Sequence, residues 1–194
     1  EERPAVAKRK APKPHQVIAV NDIVGGLSRA PRITALMACG SGKTMVALWA
    51  AEHLGARTVL ILLPSLALVR QTLHEWLHET SWPDVQFVCV CSDNTVQPEE
   101  DSLLVRPSDL DFAVTTHVTD VRRFLERQTN SVRLVFSTYQ SSHVVKEAVA
   151  GLPPFDFGVF DEAHKTAGRD GQKFALALKD ENLPIVRRLF LTAT

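Results

Sequence analysis

The sequence predicts an α/β protein, a three-layer α/β/α sandwich on a mostly parallel sheet, and three observations predict it. Several short segments, such as "TVLILL" and "VRLVF", are apolar without a polar alternation, the pattern of strands buried on both faces. These segments alternate along the chain with stretches of helical period. Finally, five polar clusters, "ACGSGKT", "PSLA", "STYQ", "DEAH" and "TAT", each follow an apolar run. In parallel sheets, ligands bind outside the carboxyl ends of the strands, where such clusters would gather.

Taken in order, residues 1–13 are charged and proline-rich and read as a flexible tail or linker. Lys8, Arg9 and Lys10 could touch nucleic acid there, although a solvated tail is the commoner explanation. From Pro14 the apolar residues Val17, Val20, Ile23, Val24 and Leu27 recur at helical spacing. Pro14 suits the first turn of that helix, and Gly25 and Gly26 suit its end. "RITALM" (32–37) is a short strand, and "MVALWAAEHLG" a helix ending at Gly55. A strand over 57–65 precedes the helical "LALVRQTLHEWLHE". "VQFVCVCS" (85–92) is a strand, followed by a polar loop with Pro98, Glu99, Glu100 and Asp101. "DFAVTTH" holds a short strand, and "VTDVRRFLERQ" is helical by the spacing of Val118, Val121, Phe124 and Leu125. A strand (132–140), the helix "SSHVVKEAVAG", a strand (155–164) and the closing strand "RRLFLTAT" complete the pattern.

Composition sets the limits. A chain of 194 residues, 45% hydrophobic, can bury one substantial core. Its 22 basic and 22 acidic residues balance, which excludes a histone-like binder but leaves room for a local basic groove. Cys89 and Cys91 alternate with valines and would share one strand face; with Cys39 they read as reduced thiols rather than metal ligands or a disulfide. No apolar run is long enough to span a bilayer, and no signal-peptide core is present. The expected location is cytoplasmic, in a bacterium or phage.

Residues 37–44, "MACGSGKT", match the phosphate-loop pattern G-x-x-x-x-G-K-[S/T] except that Met37 stands at its first glycine. What the chemistry needs is kept. Gly40 and Gly42 allow the backbone between Ala38, Cys39 and Ser41 to curl with its N–H groups inward. Lys43 can reach the β- and γ-phosphates, Thr44 can place a hydroxyl on Mg²⁺, and the following helix offers its N-terminus to the anion. The competing reading is a glycine-rich turn with an exposed lysine. Met37 is expected to end the strand with its side chain in the core. At "DEAH", Asp161 can hold Mg²⁺ through water, and Glu162 can orient or deprotonate the attacking water. A charged strand end capping a helix is the alternative.

In this order and spacing, "ACGSGKT", "DEAH" and the terminal "TAT" resemble the first RecA-like domain of superfamily 2 helicases and translocases, P-loop NTPases, over residues 14–194. The resemblance implies ATP and Mg²⁺ as cofactors. It makes "KPHQ" (13–16) the adenine-recognition motif, with Gln16 on the adenine edge; an exposed polar residue in a first turn is the alternative. It makes "LLPSLALVRQ" and "FSTYQS" strand-contacting motifs, with Ser65, Arg70, Gln71, Ser137, Thr138 and Gln140 as sequence-independent phosphate contacts whose binding weakens with salt. Loop caps for Ser65 and a core edge for Tyr139 are the plainer readings. His164 would couple the ATP site to Thr192, Ala193 and Thr194; otherwise it is a capping or partly buried histidine. His53, His74 and His78 fall on helices and are expected to face solvent.

Within the superfamily, "DEAH", "STYQS" and "PSLALVRQ" look more like bacterial DNA translocases, restriction-enzyme motor subunits such as type III, and helicases with helicase-associated repeats than like RNA helicases with an Asp-Glu-Ala-Asp box. Double-stranded DNA is therefore the expected partner, with RNA the alternative. Such motors need a second RecA-like domain that supplies an arginine finger, expected downstream in a longer protein, so this chain alone should turn over ATP little or not at all. A nucleotide- and nucleic-acid-binding adaptor without motor activity is the reading from another class. A small-molecule kinase leaves "KPHQ", "STYQS" and "TAT" unexplained.

Overall fold

The computed structural model describes residues 9–91, 112–161 and 179–193. Seven strands form one sheet: β1 (Arg32–Leu36), β2 (Thr58–Leu63), β3 (Val85–Val90), β4 (Val114–Thr115), β5 (Val132–Thr138), β6 (Phe155–Phe160) and β7 (Ile185–Thr192). Their order is β1-β7-β6-β2-β5-β3-β4, and every pairing is parallel. The sheet expected to be mostly parallel is thus wholly so among the described residues. Among the described residues, five helices cover it: α1 (Pro14–Leu27), α2 (Lys43–His53), α3 (Leu66–Glu79), α4 (Val118–Glu126) and α5 (Ser142–Ala148).

The unbroken apolar runs follow from the pleat. Successive side chains of a strand point to opposite faces. In β2, Val59, Ile61 and Leu63 pack with α1, α2 and α3, while Leu60 and Leu62 pack under α4 and α5. Both faces are covered, so neither alternate position can be polar, and the three-layer sandwich follows. α2 touches both α1 and α3. Every residue from Met45 to Ala51 is accordingly buried, and its sequence shows no polar face. α4 has one packed face, with Val121 and Phe124 buried.

Some boundaries differ from expectation. α1 runs through Gly25 and Gly26 to Leu27 instead of stopping at the glycines. Leu27 is buried in the core, which holds the last turn in place. A side chain at Gly26 would begin 2.3 Å from the Ile33 Cδ1 atom, so this glycine serves close packing of the helix on β1. The "SSHVVKEAVAG" helix is preceded by a single 3₁₀ turn over Tyr139–Ser141. β7 starts two residues earlier than expected, at Ile185. Lys10, within the expected tail, donates its main-chain N–H to the Glu79 carboxylate at 2.6 Å. The polar loop at Pro98, Glu99, Glu100 and Asp101 lies outside the described residues.

Cys89 and Cys91 are buried in the α1–α3 layer and free, as expected. Burial pushes both thiols up, Cys91 to about 12, and Cys89 further with the added repulsion of Cys91. Exposed Cys39 is also free. His53, His74 and His78 are exposed on their helices.

Candidate nucleotide and nucleic-acid site

β1 ends at Leu36, and residues 37–42 carry the chain to the N-terminus of α2. Met37 is half-buried against the core and its N–H donates to the Thr192 carbonyl at 3.1 Å, extending the β1–β7 ladder by one bond. The methionine at the pattern's first position thus closes a strand. Gly40 and Gly42 have φ of 72° and 87°, a backbone region that favours glycine. Ser41 N–H returns to the Ala38 carbonyl at 3.2 Å, and the third and fourth N–H groups of α2, of Met45 and Val46, return to the Gly42 carbonyl. Ala38, Cys39 and Gly40 are exposed; Ser41, Gly42, Lys43 and Thr44 are half-buried. The Ser41 hydroxyl is buried and has no partner among the described residues.

Gln16 lies in the first turn of α1 and is only 7% exposed, against the alternative of a solvent-facing polar residue. Its Oε1 accepts from Lys13 N–H at 2.8 Å, and its Nε2 donates to the Ser41 carbonyl at 2.9 Å. A Cβ on Gly42 would stand 2.3 Å from that Nε2. Gln16 is therefore packed directly on the loop, and its amide keeps one hydrogen and one acceptor position beyond these two bonds.

Trp76, 1% exposed on α3, donates its indole N–H to the Thr44 carbonyl at 3.1 Å. Thr44, Thr72, Trp76 and Asp161, with the apolar Ala47, Ile61, Leu63, Val159 and Leu191, line a cavity of about 10 Å³, so the loop's threonine and the acidic strand end lie near each other. Asp161 N–H donates to the Leu62 carbonyl at 3.0 Å, and Asp161 O accepts the Tyr139 hydroxyl at 2.8 Å. Thr192 sits opposite Leu36 across the β1–β7 ladder, immediately beside the entry to the loop, and Ala193 follows it. Glu162, His164 and Thr194 lie outside the described residues.

The two expected strand-contacting loops leave the sheet side by side, because Leu63 pairs with Thr138. Ser65 caps α3, its Oγ accepting from Leu68 N–H at 3.3 Å, which is the plainer of its two expected roles. Arg70 and Gln71 are exposed on α3, and Gln140 is half-buried. Ser137 and Thr138 are 0% and 4% exposed. Their hydroxyls bond to the Thr138 carbonyl and to Ser141 Oγ, so neither side chain faces solvent. Tyr139 is buried at the core edge.

A larger cavity of about 310 Å³ lies at the opposite edge, where β2, β5 and β6 begin. Its polar groups hold the chain together: Asp156 accepts the N–H groups of Arg57 and Thr58, and the Arg133 guanidinium bonds to the Leu125 carbonyl. The chemistry gathers at the carboxyl edge instead. Among the described residues, no group of three or more His, Cys, Asp or Glu could hold a metal ion alone. A divalent cation would need phosphate oxygens and water to complete its shell, as Mg²⁺ does beside nucleotides. No helix of the described residues is long and apolar enough to cross a membrane.

The long-range hydrogen bonds from Trp76 and Tyr139 carry no local signal in the sequence. Spacing marks Trp76 as part of the packed face of α3, but names no partner across the chain.

The model of the family described as "Type III restriction enzyme, res subunit" matches residues 9–194. The probable helicase A859L of African swine fever virus (isolate Pig/Kenya/KEN-50/1950) is 35% identical over 170 residues, 87% of this chain and 18% of its own length. The solved structure "ATP-dependent Type ISP restriction-modification enzyme LlaBIII bound to DNA" matches with a TM-score of 0.82 and 30% identity, over 95% of this chain and 13% of that one. The Type ISP enzyme LlaGI, as a nuclease-deletion mutant with a DNA substrate mimic, gives 0.76 and 31%, over 95% and 18%. The Hef helicase domain of Pyrococcus furiosus shares the fold, with a TM-score of 0.56 at 18% identity over 94% of this chain and 32% of that one. This chain spans less than a fifth of the length of the viral relatives. It belongs to the type III restriction enzyme res subunit family, as a RecA-like superfamily 2 helicase domain.

Proposed function

We propose that the chain is the ATP-binding half of a DNA-dependent ATPase, a translocase or helicase that needs a second RecA-like domain elsewhere in the full-length protein. The observation that carries this reading is the meeting of Thr44 and Asp161 in one cavity at the carboxyl edge, the edge from which the Ser65 and Gln140 loops also emerge. The donor set fits a magnesium nucleotide. Gly40 and Gly42 hold the curled backbone, and the Ser41 hydroxyl is buried without a partner among the described residues.

In this reading Lys43 neutralises charge on the β- and γ-phosphates, and the N-terminal N–H groups of α2 receive phosphate oxygens. Thr44 and Asp161 would hold Mg²⁺, Asp161 partly through water. The cation supplies charge stabilisation for phosphoryl transfer when bound. Gln16 offers its remaining amide groups to the adenine edge, giving a preference for ATP. Glu162 orients the attacking water. His164 couples the ATP site to residues 192–194, and the bond from Met37 N–H to the Thr192 carbonyl supports that link. Ser65, Arg70, Gln71 and Gln140 are the accessible phosphate contacts; Ser137 and Thr138 would contribute through main-chain groups. The DNA-bound state of LlaBIII supports DNA over RNA.

Lys43→Ala tests the loop. Binding of a fluorescent ATP analogue to the mutant should weaken at least tenfold, with the fold intact by circular dichroism; unchanged affinity means that the loop is not a nucleotide site. The full-length protein should hydrolyse ATP faster with duplex DNA than with single strands or RNA, and DNA binding should weaken steeply with salt. Because an arginine finger is worth about 10³–10⁵ in rate, the 194-residue chain alone should turn over far more slowly. Several turnovers per second by that chain would refute the requirement for a second domain.

A further inference from the structure

Tyr139 is the one tyrosine of the chain, and it sits in the "STYQS" loop between the end of β5 and α5. It is 3% exposed, and its hydroxyl donates to the main-chain carbonyl of Asp161 at 2.8 Å. β5 and β6 are not neighbours, because β2 lies between them. The phenol therefore reaches across the end of β2, bridging two strand spacings of roughly 4.8 Å each.

The peptide of Asp161 is held on both sides. Its N–H donates to Leu62 of β2 at 3.0 Å, and its carbonyl accepts from Tyr139. Leu62 lies three residues before Ser65, and Tyr139 immediately precedes Gln140. Each hold thus comes from a segment that runs directly into a loop proposed to touch DNA. The turn carrying Tyr139 is itself braced: Ser142 Oγ donates to the Tyr139 carbonyl at 2.7 Å, and Thr138 Oγ1 to Ser141 Oγ at 3.2 Å. These bonds tie the turn that carries both the ring and Gln140.

A buried phenol needs a hydrogen-bond partner wherever it sits, so stability alone could account for one bond. The choice of acceptor goes further. It is the peptide of the residue proposed to hold Mg²⁺, and that peptide's other end is fixed by the strand leading into the Ser65 loop. We infer that Tyr139 is a positioning residue that couples DNA contact at the "STYQS" loop to ATP hydrolysis, by setting the Asp161 peptide through its hydroxyl. The inference rests on the functional reading proposed above.

Tyr139→Phe in the full-length protein removes the hydroxyl and keeps the ring. The kcat without DNA, the KM for ATP and the duplex affinity should stay within about twofold of wild type, while the stimulation of kcat by duplex DNA falls about five- to tenfold, the size of one hydrogen bond. A second readout needs no mutant. With 3-fluorotyrosine incorporated, the 194-residue chain carries one ¹⁹F resonance, which should shift when duplex DNA is added. Stimulation retained within about twofold despite a lower melting temperature would make the bond merely structural and overturn the inference, as would a resonance unmoved at saturating DNA. Wild-type protein with no DNA stimulation at all would overturn the functional reading and this inference with it.

Discussion

Replacing Gly42 with alanine tests how Gln16 holds the loop. Gly42 has φ of 87°, and its missing Cβ leaves room for the Gln16 amide, whose Nε2 would lie 2.3 Å from an added methyl. Two effects therefore add. An L-residue in the left-handed region costs about 1–2 kcal/mol. Gln16, a flexible side chain, escapes the methyl by rotating away, and gives up its 2.9 Å bond to the Ser41 carbonyl, worth about 1 kcal/mol. Gly42→Ala should lower stability by about 2–3 kcal/mol, or about 4–12 °C in melting temperature for a domain of this size. Gly40 is the internal control. Its φ is 72° and nothing lies within 4 Å of an added Cβ, so Gly40→Ala should show only the backbone effect, about 1–2 kcal/mol. Urea denaturation of both mutants, with and without Gln16→Ala, completes a double-mutant cycle. The Gly42 effect should shrink by about 1 kcal/mol in the Gln16→Ala background, and the Gly40 effect should not. If Gly42→Ala proved no worse than Gly40→Ala, or if Gln16→Ala left its effect unchanged, the packing of Gln16 on the loop would be refuted.

Three other predictions concern the surroundings of the site. Met37→Gly should lower stability by about 1–2 kcal/mol through lost packing and backbone freedom, with nucleotide affinity unchanged within about twofold; paired melting and binding curves check this. Trp76→Phe removes the donor to the Thr44 carbonyl and should lower the urea-unfolding free energy by about 1–3 kcal/mol. Cys89 and Cys91 are held protonated by burial, so the folded chain retains protons that the unfolded chain loses above a thiol pKa of about 8.5. Their contribution to stability is complete below that pH and declines as pH rises toward 12. Melting temperatures should fall more steeply over that range for wild type than for a Cys89→Ala, Cys91→Ala double mutant.

Much of the fold was legible because its signals are local. The apolar runs of β2 and β5 mark strands covered on both sides, and the spacing of Leu66, Val69, Leu73 and Trp76 marks one face of α3. The glycines of "ACGSGKT" mark a backbone turn that other residues rarely adopt. Where α1 ends was not legible, because Gly26 looks like a stop signal. Only its contact with Ile33 explains why the helix continues through it. Ser137 and Thr138 were expected as phosphate contacts only through the family resemblance, which says nothing of their burial at the end of β5. Whether they face water depends on the turn to α5 that covers them.

The sequence by itself determined the parallel α/β class, the position of the glycine-rich turn before α2, and the family resemblance carried by "ACGSGKT", "DEAH" and "TAT". Each of these resides in neighbouring residues whose chemistry or periodicity is complete without reference to the rest of the chain. Only the tertiary structure decided that Gln16 rests on Gly42, that Trp76 ties α3 to Thr44, and that Tyr139 reaches over β2 to Asp161. Those contacts join residues 22 to 32 positions apart, and strand order brings them together. Strand order is set by how the covered faces pack, a property of the whole sheet that no single segment encodes.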